Sequence, residues 1–535
     1  MVFTEFRFLF FFILIFCVYW ALNNHNHRKT WLLVCSYIFY GAWDWRFLSL
    51  LLLSTVVDYF VGLMLSRPQV DYSPAVAHGG NPHRPWRLPL GEDRAASTVG
   101  QEIQTSEAVQ KEETNNGWIN LFSWDALLSK PLNQQQRQAW LVLSLVVNLG
   151  LLGFFKYYNF FADSASNLLV FLGLPVSIKT LEIILPAGIS FYTFQTLSYS
   201  IDAYLGKVKP IRSFWDFSLF VAFFPQLVAG PIVRASTFLP QLLTPKSLNE
   251  VDFRGCLTLF LVGYFKKACI SDNLSPLVDQ YFTNPEIYTA LSCWIAVISF
   301  VIQVYCDFSG YSDMAIACAG LLGYKLPLNF NFPYFSSNIT QLWQRWHITL
   351  FTWLRDYIYI PLMRRRPKAQ RTELFGYRNI LILMLASGFW HGAAWHFVAW
   401  GGLHGIALIV HKQWSSWIAP YKQFQTLRNI VGIPLTFYWF CASATFFRVS
   451  DLSSIIQVEK SFLFLNSPGS ENLNLQIGWI FIPLIIMHWA GYKGWFADWW
   501  QKIPKWSFAV FYGVLVSTIL RFAAISPQPF IYFQF

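Results

Sequence analysis

Two histidines stand in Trp-rich, otherwise apolar sequence, His347 within Gln-Leu-Trp-Gln-Arg-Trp-His-Ile-Thr-Leu and His391 within Gly-Phe-Trp-His-Gly-Ala-Ala-Trp-His. Burying an ionisable ring at membrane depth costs free energy, so such a histidine marks a functional site by default. Imidazole, which titrates near neutral pH, suits proton transfer to or from a reacting group. Three further groups of residues accompany the pair. Asp307 and Asp313 lie within Tyr305–Met314. They are six apart, so they do not share a helical face, and Gly310 between them suggests a break. Buried carboxylates must be paired or hydrogen-bonded, and Arg345, Arg355 or a Trp N–H are the candidates. Leu342–Pro361 carries Trp343, Arg345, Trp346, His347, Trp353, Arg355, Asp356 and Tyr357. This charge density excludes a plain spanning helix and suits an amphipathic one, at the interface or dipping into a cavity. His347 follows Trp343 by four, on the same face of such a helix. Phe224–Arg234 has two prolines and a glycine in an apolar segment: either a structural kink or the lining of a substrate path, with Arg234 as interfacial anchor or phosphate contact.

His391, His396 and His404 do not have metal-ligand spacing, since the first two are five apart and no Glu-x-x-His pattern is present, so no metal is expected. The eight cysteines lie in or beside apolar segments without paired spacing and read as small buried hydrophobes.

The elements that must position these residues are membrane helices. In 535 residues, 55% are hydrophobic, 19% aromatic and 13% charged, about half the charge of a soluble domain. Spans are expected at 6–22, 31–64 (long enough for more than one element), 139–162, 214–233, 255–272, 290–306, 378–399, 428–447, 476–490 and 507–525. At about 20 apolar residues per crossing, the expected fold is an all-α polytopic membrane protein with about ten to twelve transmembrane helices plus re-entrant or interfacial ones. Broken segments are tolerated at membrane depth only where protein or a water-filled cavity satisfies the backbone, which points to an internal cavity. Residues 6–22 lack a small-residue cleavage site and read as a retained first helix.

The formal net charge of +11 comes from basic residues scattered over short loops, as the positive-inside rule requires, and excludes a nucleic-acid partner as its cause. Arg364, Arg365, Arg366, Lys368, Arg371 and Arg378 form the densest cluster and Lys266–Lys267 a second. Both are assigned to the cytoplasm. Residues 67–138, rich in Pro, Gly, Asn and Gln and including Asn133–Arg137, read as a soluble loop with an apolar island at Trp118–Leu128; His78 and His83 are solvated there. The organisation is therefore 1–66 helical, 67–138 loop, 139–223 helical, 224–412 core, and 413–535 helices with an aromatic tail.

Phe224–Arg234, Asp307–Met314, Arg345–Pro361 and Trp390-His391-Gly392, in this order, resemble the membrane-bound O-acyltransferase family, and specifically its bacterial branch serving polysaccharide O-acetylation. The resemblance covers most of the chain apart from the 67–138 loop. It implies helices around a central tunnel or funnel with the histidines near the middle, the family's near-invariant histidine falling on His391 and the second on His347. It also implies acyl transfer from a thioester to a hydroxyl, with Trp346, Arg345, Asp307, Asp313, Trp390, Arg355 and Asp356 supporting the site. Such chemistry needs a base at the hydroxyl and a donor for the oxyanion. His391 is the expected base and His347 the orienter or oxyanion stabiliser, with the reverse left open; Trp N–H or backbone N–H near Gly392 are further donors. No Ser or Cys nucleophile elbow is present.

The resemblance further implies an inner-membrane location, acetyl-CoA or another acyl thioester as donor substrate with no tightly bound cofactor, and an exported polysaccharide reached through a periplasmic or secreted SGNH-type O-acetyltransferase. The aromatic tail Pro529–Phe535 is either an interfacial anchor or the carrier of Tyr532 as acyl relay. The alternatives are D-alanyl transfer to teichoic acid, a scaffold without activity, and a transporter. A transporter would show two similar halves with matching broken helices, and the histidines instead fall in one stretch without a counterpart.

Overall fold

A computed structural model of the chain describes residues 3–68, 128–174, 176–418, 420–474, 476, 478, 481–495 and 499–533. The described residues are helical, and their only β feature is an isolated bridge, Tyr288 to Glu471. α1 (Phe6–Ala21), α2 (His25–Asp44) and α3 (Leu48–Leu65) open the chain. Asn24 caps α2 by accepting from the Asn26 and His27 amides, and one 3₁₀ turn, Trp45–Phe47, separates α2 from α3. The apolar run 31–64 thus holds parts of two helices.

α4 (Gln134–Leu152) continues through a π turn, Gly153–Tyr157, into α5 (Tyr158–Phe171). Its start corrects the expected loop boundary. Asn133 and Gln136 form a reciprocal capping box, so the polar run 133–137 begins a helix. Arg137 is buried and donates to the Leu65 carbonyl at 2.9 Å. The rest of the expected loop, with His78, His83 and the island up to residue 127, lies outside the described residues.

α6 (Ile189–Tyr204) is almost wholly buried yet was not among the expected spans, because its Ser, Thr and Gln residues lower its hydropathy. Those residues form part of an interhelical polar network. Asp58 of α3 accepts from Ser144 Oγ at 2.5 Å, Ser200 Oγ at 2.7 Å and Asn148 Nδ2 at 2.8 Å, which satisfies a buried carboxylate across α3, α4 and α6.

α7 (Phe214–Ala222), α8 (Phe224–Leu227) and α9 (Ala235–Leu243) follow. The helical path is broken within 223–234, as the prolines and glycine there require. Next come α10 (Phe253–Tyr264), a π turn at Phe265–Ser271, α11 (Asp272–Thr283) and α12 (Ala290–Leu321). α12 runs unbroken through Gly310, where a break was expected. Gly310 instead permits close approach: a Cβ there would lie 2.6 Å from the Gly263 carbonyl, and one at Gly263 would lie 2.6 Å from the Gly310 carbonyl. Small residues at such crossings are how membrane helices pack tightly.

The core continues with α13 (Ile339–Arg345), α14 (Ile348–Leu354), a π turn Arg355–Tyr359, α15 (Ile360–Arg364), α16 (Glu373–His391) and α17 (Trp395–Ile418). α16 and α17 pack closely through Gly388 and Gly401, where added Cβ atoms would lie 2.2 Å from the Phe397 carbonyl and 2.3 Å from the Met384 carbonyl. α18 (Gln425–Arg448), α19 (Leu452–Phe464), α20 (Phe481–Tyr492), α21 (Trp499–Lys502) and α22 (Lys505–Phe522) complete the helices. By length and apolarity, His25–Leu65, Gln134–Phe171, Ala290–Leu321, Gln425–Arg448 and Lys505–Phe522 can each cross a membrane, and Phe6–Ala21 and Phe481–Tyr492 are shorter apolar helices. The chain is an all-α, multi-pass membrane protein.

Candidate functional site

His347 does not lie within a helix shared with Trp343, as its spacing suggested. α13 ends at Arg345, α14 starts at Ile348, and His347 stands between them with φ 42°. Left-handed backbone is uncommon in a non-glycine residue, though His is among those that adopt it most readily. The turn is clamped by residues 329–331: the Ile348 amide donates to the Asn329 carbonyl and the Asn331 amide to the Arg345 carbonyl, each at 2.9 Å. The Asn329 side chain then fixes the imidazole. Its Nδ2 donates to Ser312 Oγ at 3.2 Å, and its Oδ1 accepts from Thr349 Oγ1 at 2.9 Å and from the Thr349 amide at 3.3 Å. Because Oδ1 only accepts, His347 Nδ1, 3.1 Å away, carries the proton. Neutral His347 therefore holds its lone pair on Nε2, a buried nitrogen with no hydrogen-bond partner among the described residues.

His391 ends α16 and is buried, 3% exposed. Gly392 after it is required by packing, since a Cβ there would lie 2.0 Å from the Phe397 ring. Lys156, on the π turn between α4 and α5, donates to the Trp390 carbonyl at 2.7 Å and the His391 carbonyl at 3.0 Å. This places a cation where a helix C-terminus favours one. The Trp390 ring lies near both imidazoles, 5.7 Å from His347 and 5.0 Å from His391 between centroids. Its Nε1–H is buried without a hydrogen-bond partner among the described residues, an exception that calls for an explanation in a native protein. The Tyr532 ring completes the group, 5.5 Å from His391 and 6.2 Å from Trp390. His391, Tyr532, Trp346, Trp400 and Phe447 help line a cavity of about 30 Å³, room for roughly one or two water molecules. Among the described residues no acidic side chain lines it.

The carboxylates take partners other than those expected. Asp307 pairs with Lys267 at 2.7 Å and Asp313 with Lys266 at 2.6 Å, so Lys266–Lys267 is not a free loop cluster of the positive-inside kind. Lys267 is only 4% exposed. Arg345 donates to the Asn331 carbonyl at 3.2 Å and lies over Tyr492. Arg355 pairs with Asp356 at 2.8 Å. Neither arginine neutralises Asp307 or Asp313. Arg234 pairs with Asp356 at 3.1 Å and lies over Tyr357. His396 Nδ1 bonds the Phe446 carbonyl at 2.9 Å, and His404 Nε2 bonds Ser443 Oγ at 3.0 Å; both are accounted for by packing.

A second, polar cavity of about 430 Å³ lies among Asp202, Lys207, Arg234, Ser236, Asp356 and Tyr357. Asp356 is nine residues beyond His347, about 13 Å along a helical path, towards Arg364–Arg366 at the end of α15. The core thus holds a small, largely apolar cavity beside His391 and Tyr532 and a separate charged cavity on the side of the arginine cluster.

Comparison with known proteins now bears on this geometry. Residues 207–450, which contain both histidines, match the model of the MBOAT, membrane-bound O-acyltransferase family. The chain is 32% identical over 511 residues to the probable alginate O-acetylase AlgI of Azotobacter vinelandii, covering 94% of this chain and 88% of the relative. It is 34% identical over 471 residues to the peptidoglycan O-acetyltransferase of Helicobacter pylori, covering 83% and 75%. Teichoic acid D-alanyltransferase of Streptococcus thermophilus is 29% identical over 240 residues, 42% of this chain. The chain belongs to the membrane-bound O-acyltransferase family. As a membrane-bound O-acyltransferase it is an enzyme that transfers an acyl group to a hydroxyl.

Sequence reasoning missed Asn329 and Lys156 in this acyltransferase. Asn329 had a weak signal, a polar residue within Pro327–Pro333 between apolar segments. Lys156 had a stronger one, a lone cation inside the apolar stretch 139–162, which is by default functional.

Proposed function

We propose that this protein moves an acyl group, acetyl, from a cytoplasmic thioester donor such as acetyl-CoA across the inner membrane for O-acetylation of an exported polysaccharide. The observation that carries the proposal is that the Tyr532 ring and His391 line one small, largely apolar cavity. In the proposed step, the Tyr532 oxygen attacks the thioester carbonyl carbon, His391 takes the phenol proton, the C–S bond breaks, and the thiolate leaves to be protonated as free thiol. Tyr532 then carries an O-acetyl ester that passes to a periplasmic or secreted SGNH-type transferase and on to the polysaccharide. Trp390 Nε1–H is the donor for the developing oxyanion. His347, with its lone pair on Nε2, is an acceptor rather than an oxyanion donor.

The charged cavity around Arg234, Lys207 and Asp356 suits the polar end of the donor on the cytoplasmic side.

Exopolysaccharide ester content tests this in cells carrying His391→Ala or Tyr532→Phe, beside wild type and a deletion, with membrane levels of the protein measured. Loss of acetyl ester in both variants at normal protein level is expected. Normal acetylation in Tyr532→Phe overturns the relay, since Phe keeps the aromatic anchor and removes only the hydroxyl. Acetylation lost in the deletion but retained in His391→Ala overturns the role of His391, and acetylation unchanged in the deletion overturns the substrate class.

A further inference from the structure

Residues 524–532 follow the last long helix and bring Tyr532 back into the core. The Ala524 amide donates to the Ala268 carbonyl at 2.9 Å, and beyond it a buried ion cluster holds the segment. Lys267 Nζ lies 2.7 Å from Asp272 Oδ1 and 2.7 Å from Asp307 Oδ1, and it donates to the Gln528 carbonyl at 2.9 Å. The first two contacts are ion pairs and the third is a hydrogen bond to the main chain. The second Asp307 oxygen accepts the Ile531 amide at 2.7 Å. We propose that the Lys267–Asp307 pair is a latch that grips the backbone of this segment and so positions the Tyr532 ring beside His391. The latch is made of positioning residues, and its catalytic consequence rests on the relay reading of Tyr532.

A purely helix-joining role for the cluster leaves two features unexplained. Two of its hydrogen bonds go to the main chain of 528–531 and none of these to a side chain, so the grip is independent of which residues the segment carries. The side chains then set direction. Phe530 packs against Tyr311 and Phe308 at 5.1 and 5.5 Å, and Tyr532, immediately after the gripped amide, turns towards His391. Phe308, next to Asp307 in the chain, touches both Tyr532 and His347 at 4.7 Å. The gripped amide and the two site rings are therefore referenced to the same turn of α12.

The test places a single 3-fluorotyrosine at position 532 of the full chain in detergent and reads its ¹⁹F line width and its broadening by a soluble gadolinium chelate. Acetyl transfer is measured on the same variants carrying native Tyr532. Ile531→Pro removes the gripped N–H, and proline fits the first position of the 3₁₀ turn Ile531–Phe533, where its fixed φ is tolerated. Asp307→Leu removes the acceptor from the other side. Ile525→Ala, on a fully exposed residue of the same segment, is the control. Wild type and Ile525→Ala are expected to give a broad, chelate-shielded line. Ile531→Pro and Asp307→Leu are expected to give a sharp, chelate-sensitive one, with acetyl transfer at least tenfold lower. A shielded, broad line in Ile531→Pro with thermal stability unchanged overturns the latch. A released tyrosine with normal acetyl transfer leaves the latch standing and overturns the relay.

Discussion

Replacing Asn329 with Leu tests the tautomer argument at its root. Leucine is close to asparagine in size but cannot accept from His347 Nδ1–H. In wild type that bond, 3.1 Å to Asn329 Oδ1, selects the form with the lone pair on Nε2. Without it, this form carries a buried donor with no partner, at a cost of about 1–3 kcal/mol. At 1.36 kcal/mol per factor of ten, acyl transfer falls about five- to 150-fold if the Nε2 lone pair is needed. Thr349 loses the acceptor of its amide and hydroxyl as well, so a second loss of about 1–3 kcal/mol appears as lower thermal stability. The assay is acetyl transfer per unit of folded protein in membranes. Ser312→Ala is the control, since it removes only the partner at the far end of the Asn329 amide and leaves Oδ1 in place; its activity stays within about threefold on this argument. Activity of Asn329→Leu within threefold of wild type, or an equal fall in Ser312→Ala, refutes the role given to the tautomer.

Two further substitutions probe the oxyanion donor and the helix crossing. Trp390→Phe keeps an aromatic ring and removes the unpartnered N–H, so turnover is expected to fall about 10²- to 10³-fold, while Trp343→Phe, which loses an equally buried N–H away from the cavity, retains activity per folded molecule. Gly310→Ala forces a Cβ to within 2.6 Å of the Gly263 carbonyl, and a loss of about 1–3 kcal/mol from overpacking is expected as a lower unfolding midpoint.

The extent to which this architecture can be read from sequence varies with the kind of signal. Apolar runs such as 290–306 and 428–447 mark helices because burial in lipid and burial in protein ask for the same residues. α6 escapes because its Ser, Thr and Gln side chains are satisfied by other helices, and no local pattern records those partners. His347 and His391 stand out as ionisable groups in apolar sequence, yet their surroundings do not. The clamp on His347 comes from Asn329, eighteen residues upstream, and the cation at the His391 carbonyl comes from Lys156, 235 residues upstream. The same distance effect reversed the charge pairing. Arg345 is nearer to Asp307 and Asp313 along the chain than Lys266 and Lys267 are, but the close approach at Gly263 and Gly310 brings the lysines to the carboxylates.

The stretch Asp307–Asp313 shows why two carboxylates on different faces of one helix are useful here. At about 100° per residue, positions six apart differ by about 240° around the axis, so one helix turn and a half can address separate neighbours. Asp307 faces Lys267 and the Ile531 amide, and through them governs where Tyr532 lies. Asp313 faces Lys266 and ties α12 to the π turn after α10. Between them Ser312 holds Asn329, which fixes the proton of His347, and Phe308 touches both His347 and Tyr532. The buried charges cost desolvation energy and are not explained by stability, since apolar residues often serve a core as well or better. Their use lies in specifying position: the proton arrangement on one imidazole and the approach of the phenol to the other are both set from the same short stretch of one rigid helix.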